Sequence, residues 1–132
     1  MNARPAAAEP WAASEAAGDL ANGFARHIVE WAEHARAPAD SLAVLAAAAR
    51  HASLATQDGH VCARLEDLAT DFPDCPADEL SRRLLSSGMV ATAVEPRVLP
   101  LVLDLEGRLY LYRYFAYERR LATCLNRRVK YV

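Results

Sequence analysis

The chain has 132 residues, of which 53% are hydrophobic and many of those alanine, and it carries a net charge of −2. This is one domain's worth of sequence, long enough to bury a core, and the overall charge singles out no class of partner. Cys62, Cys75 and Cys124 form no disulfide framework, no apolar run has bilayer length, and Glu9, Glu15 and Asp19 interrupt any signal-like leader, so the reading is a cytoplasmic protein with no membrane contact.

Residues 1–17, with Pro5, Pro10 and an alanine-rich run, are expected to form a flexible leader to a single domain over residues 18–132. Gly18-Asp19 offers a helix start, and Leu20, Phe24, Ile28, Trp31 and Ala35 then follow as one apolar stripe. Ala37-Pro38 ends this helix, because the residue before proline avoids the α region. Asp40 or Ser41 is expected to cap the next helix. Its face of Leu42, Leu45, Ala46, Ala49 and Ser53 is small enough for a neighbour to pack close, and Gly59 suits its C′ position. His60–Leu65 reads as a short strand, and Leu65–Phe72 as a brief helix with Leu68 and Ala69 inward. After Pro73, Pro76 suits the first position of a helix that buries Leu80, Leu84 and Leu85 and closes at Gly88. Asp78 and Glu79 in its first turn complement the helix dipole. Met89–Val94 reads as a strand.

The stretch Leu99–Arg128 organises the rest. Leu101–Leu103, a turn at Asp104–Gly107 and Arg108–Arg113 form a hairpin, with Leu109 and Leu111 on one face and Arg108, Tyr110 and Tyr112 on the other. From Tyr114 the period changes: Tyr114, Tyr117, Leu121 and Leu125 mark one side of a helix. The fold class is therefore α+β, mostly helical, with helices packed on a small antiparallel sheet or hairpin. Leu42–Tyr112 also has the rhythm of a winged helix, in which Asp78–Ser87 would be the recognition helix. That helix offers DNA only Arg82, Arg83 and two serines, and places acids at its N-terminus.

Five scattered glycines and a single lysine, Lys130, make no phosphate-cradling loop, so no nucleotide hydrolysis is expected of this chain. No cofactor and no metal are expected either. His60, Cys62 and Cys75 lack a fourth ligand, and His27, Glu30 and His34 do not form the HExxH pattern. No nucleophile–base pair stands out, so no catalytic residue is assigned. Charge is distributed unevenly: residues 1–107 carry 8 basic and 16 acidic side chains, whereas residues 108–132 carry 7 basic and 1 acidic. Within that basic segment Tyr110, Tyr112, Tyr114, Phe115 and Tyr117 crowd together. Tyrosine and arginine dominate protein–protein hot spots. The candidate partner-binding residues are Arg108, Tyr110, Tyr112, Arg113, Tyr117, Arg119 and Arg120.

Gly59–Ala69 (GHVCARLEDLA) and Pro100–Ala122 (PLVLDLEGRLYLYRYFAYERRLA) resemble the N-terminal region of RecD, the α subunit of bacterial exodeoxyribonuclease V, the RecBCD complex. Pro100, Leu103, Arg108, Leu109, Tyr110, Leu111, Arg113, Tyr114, Glu118 and Arg119 follow that family's pattern, and Asp78–Val90 (DELSRRLLSSGMV) is similar to its leucine-rich segment. The likeness runs from about Leu42 to Leu125. It implies a non-catalytic N-terminal docking domain of an ATP-dependent 5′→3′ DNA helicase subunit acting in recombinational double-strand break repair, with the helicase motor absent. The partner it implies is a RecC-like subunit, with DNA met only through the full complex. A winged-helix-like nucleic-acid-binding module is the alternative.

Overall fold

The computed structural model describes residues 10–95 and 97–130, with side chains over 16–95 and 97–126. The chain forms α1 (Pro10–His34), α2 (Ala39–Gln57), β1 (Ala63–Arg64), α3 (Leu65–Ala69), α4 (Ala77–Ser86), β2 (Val90–Thr92), β3 (Leu101–Leu103), β4 (Arg108–Leu111) and α5 (Tyr112–Lys130). The fold is α+β and mostly helical, as the periodicities indicate.

The expected leader changes character at its end. Residues 1–9 lie outside the described residues, but Pro10–Ala17 is helix, continuous with the stripe that follows. Alanine is the strongest helix former, and proline at a helix start lacks only an N–H that would have no partner anyway. The Ala17 carbonyl accepts a hydrogen bond from Gln57 Nε2 at 3.2 Å, tying this turn to α2. At the other end, Arg36 N–H bonds the Glu33 carbonyl and Ala37 N–H the Ala32 carbonyl, with Arg36 at φ 62°. This is a Schellman stop with arginine in the left-handed position that glycine normally takes.

The α1–α2 contact turns α1 about one residue from the expected stripe. Ala21, Ala25, Ile28 and Ala32 are buried, against Val44, Leu45, Ala48, Ala49 and Ala52 of α2, whereas Leu20 is 62% and Trp31 48% exposed. Small residues on both helices let the backbones approach closely, and that packing outweighs burial of the larger side chains. The expected side-chain cap of α2 is absent: Pro38 is the N-cap residue, Asp40 lies in the first turn, and Ser41 Oγ donates back to the Pro38 carbonyl at 2.7 Å. Gly59 does close α2, at φ 90°. On α4 the N-cap is Pro76 itself, Leu80 and Leu84 are buried, and Leu85 is exposed.

The strands form one sheet in the order β1-β4-β3-β2. β4 pairs antiparallel with both β1 and β3, Leu109 lying opposite Ala63 and Leu103. β2 runs parallel to β3, Val90 beside Leu101, so the sheet is mixed where an antiparallel one was expected. A tight hairpin turn cannot join parallel neighbours, so the chain returns between them and β3 restarts level with β2. One face of the sheet holds Leu101, Leu103 and Leu109 against Leu45, Leu68, Leu80 and Leu84 of the helices. The other face holds a smaller cluster of Val102, Tyr110 and Phe115.

Candidate interaction surface at the hairpin–helix junction

The β3–β4 turn is held by one carboxylate. Asp104 Oδ1 accepts from the backbone N–H groups of Glu106 and Arg108, both at 2.9 Å, and Oδ2 accepts from Arg108 Nε at 2.7 Å and Tyr110 Oη at 3.4 Å. Burial of Asp104 would raise its pKa, but the Arg108 and Glu106 donors outweigh that and hold it below the usual carboxylate range. Gly107, at φ 77°, completes a turn whose handedness an ordinary side chain would oppose. Arg108 is thereby committed locally, to Asp104 and, at 3.2 Å, to Glu106.

Tyr110 does not face solvent with Arg108. It is buried edge-on against Phe115, ring centroids 5.6 Å apart, because the first turn of α5 folds over that face of the sheet. Burial, reinforced by the nearby Asp104 carboxylate and opposed by Arg108, pushes its phenol up to about 12. Cys62 borders the same cluster, and burial likewise pushes its thiol up, which keeps it in the unreactive protonated form.

Beyond that turn α5 leaves the core. Every residue from Tyr117 to Asn126 is exposed, including Tyr117 at 58%, Leu121 at 47% and Leu125 at 54%. The expected helix is present, but only as far as Phe115 does it belong to the structural centre. Arg119 lies with its guanidinium 5.6 Å from the Phe115 ring and reaches the Ala93 carbonyl at 3.4 Å; Arg120 points to solvent. On the opposite side of the junction, Arg113 lies 5.1 Å from the Tyr114 ring, and both, with Tyr112, line a groove of about 580 Å³. The other wall of the groove is α1, through Leu20, Phe24, His27 and Trp31, and its floor includes Pro100 and Leu111.

The seven residues singled out from the sequence therefore separate into three sets. Arg108 and Tyr110 build the hairpin, Tyr112 and Arg113 edge the groove, and Tyr117, Arg119 and Arg120 lie along the projecting helix. Leu20 and Trp31, which the sequence reading places in the core, were missed as surface. The signal was available in the alanines at 21, 25 and 32, which mark a second stripe beside the larger one.

The remaining chemistry is structural. Arg82 bonds Glu79 at 2.6 Å and Asp40 at 3.1 Å, and Arg83 bonds Glu79 at 3.0 Å. These two guanidinium groups hold the Glu79 carboxyl at about 2. His27 stacks edge-on against Trp31, and His34 Nδ1–H donates to the Glu30 carbonyl. Among the described residues no three His, Cys, Asp or Glu side chains come together as a metal site, and no helix is long and apolar enough to cross a membrane. No family model, curated protein or solved structure matches this chain.

Proposed function

We propose that this chain is the N-terminal docking domain of a RecD-like helicase subunit, a cytoplasmic, non-catalytic module that attaches the motor to a RecC-like partner. The observation that carries the reading is the exposed row of Tyr117, Arg119 and Arg120 on α5, within the basic segment whose sequence resembles that family. Exposed tyrosine beside arginine is the composition of an interface core, where exclusion of water strengthens each contact. In this reading DNA is met only through the assembled complex, and ATP is used by the motor that follows this region in the family.

Co-expression with a RecC-like subunit tests it. Tyr117→Ala is expected to weaken capture about tenfold, the effect of losing a hot spot worth 1–2 kcal/mol. Arg119→Glu is expected to slow association more at low salt than at high salt, since rim charges steer encounter and are screened. Capture by both variants at wild-type levels would refute α5 as the docking surface.

One observation favours a second reading, a winged-helix-like nucleic-acid module: β1 pairs with the hairpin that follows α3 and α4. Against it, Arg82 and Arg83 of α4 are already paired with Glu79 and Asp40. Tight duplex binding with a steep salt dependence would support this second reading.

A further inference from the structure

Two helices each present an apolar stripe left partly exposed among the described residues, and the two helices carry opposite charge. On α5, Tyr117, Leu121 and Leu125 recur every four residues and are about half exposed. Among the described side chains of that helix are Arg113, Arg119 and Arg120 against one acid, Glu118. On α1, Leu20, Phe24 and Trp31 form the wall of the groove, and the described side chains of that helix include Asp19, Glu30 and Glu33 against Arg26. At 1.5 Å per residue the first stripe is about 12 Å long and the second about 16 Å, so one helix covers the other without overhang. The α5 stripe recurs every four residues, as Leu20 and Phe24 do on α1, and rows of that spacing interdigitate when two helices cross.

Within one molecule the two faces do not meet, because α5 leaves the sheet after Phe115 and is exposed from Tyr117 onward. We infer that they meet between two copies of this chain: the α5 of each lies across the α1 groove of the other, about a two-fold axis. Such an exchange is isologous, so it closes at two copies and buries both stripes twice. It places the basic flanks of α5 beside Asp19, Glu30 and Glu33 of α1. Like-charged pairing, α5 against α5 or α1 against α1, would set Arg113, Arg119 and Arg120, or Asp19, Glu30 and Glu33, against their own kind. The inference is independent of the docking reading, although a RecC-like partner bound along α5 would compete with the second copy.

The test is the molar mass of the purified chain by light scattering across a concentration series, with no other protein present. Twice the 14.4 kDa chain mass, giving way to monomer on dilution, is expected. Leu121→Asp and Trp31→Asp each alter an exposed side chain and should leave the circular dichroism spectrum and melting temperature unchanged. Each is expected to raise the dimer dissociation constant at least tenfold. Mixed together they should form a heterodimer, because the first keeps an intact groove and the second an intact α5. Raising salt from 50 to 500 mM should weaken the wild-type dimer several-fold. A chain monomeric at all concentrations overturns the inference. So does loss of the dimer in Leu121→Asp but not in Trp31→Asp, which would mean that α5 pairs with α5. Because Trp31→Asp leaves α5 intact, its capture by a RecC-like subunit reports on the docking reading separately.

Discussion

Replacing Leu109 by alanine should be among the most damaging single changes in this domain. Leu109 is fully buried at the centre of β4, opposite Ala63 on one side and Leu103 on the other, in the cluster shared with Leu45, Leu68 and Leu84. Removing three carbon atoms forfeits about 2.4 kcal/mol of transfer free energy, at roughly 0.8 kcal/mol for each methylene-sized group. A cavity cost is added, because neighbours anchored in a sheet and three helices cannot all collapse inward, and about 3–4 kcal/mol in total is expected. With an m-value of about 1.5 kcal/mol/M, the urea midpoint should fall by roughly 2 M. Leu111, on the same face but only half-buried at the groove floor, should cost about 1–2 kcal/mol when changed to alanine. Equilibrium urea unfolding of the two variants side by side gives the comparison. A loss below about 1 kcal/mol for Leu109→Ala, or an equal loss for both, would show that the dominant core is not on this face of β4.

Arg36→Gly should stabilise the domain by about 0.5–1 kcal/mol, since arginine holds the left-handed position that closes α1; a loss in thermal unfolding would mean that the arginine side chain is contributing something else. The Glu79 carboxyl, held at about 2 by Arg82 and Arg83, stabilises the fold fully above its ordinary value of 4.5, and that stabilisation is lost as pH falls toward 2. Glu79→Gln should therefore flatten part of the stability–pH curve between pH 4.5 and 2, and added salt should shrink the difference. In an ultraviolet titration, one tyrosine should remain protonated until pH is about 12, and Tyr110→Phe should remove that step. The same shift means stability is lost as pH rises from about 10 toward 12, because the unfolded phenol ionises first.

Local signals in the sequence were sufficient for the element order. The switch from alternation at Leu109–Leu111 to helical spacing, the turn chemistry of Asp104–Gly107 and the stop at Gly59 each depend on a few neighbouring residues; the turn and the stop appear where they were expected, and the helix begins at Tyr112, two residues before Tyr114. The identity of the buried face of each element depends on what packs against it, which periodicity cannot report. On α1 two adjacent stripes were both apolar enough to be core. The small side chains of α2, more than ten residues further along the chain, selected the alanine stripe and left Leu20 and Trp31 outside. On β4 alternation put Tyr110 on the face opposite Leu109, and the first turn of α5 covers that face, so Leu109 and Tyr110 are both buried. On α5 the same helical spacing that marks a core stripe elsewhere runs on past the last neighbour within the molecule. Residue pattern alone determined that α5 has an apolar side; only the tertiary structure decided that no described residue covers it past Tyr117, and that the close approach of two alanine-rich helices turns Leu20 and Trp31 of α1 outward.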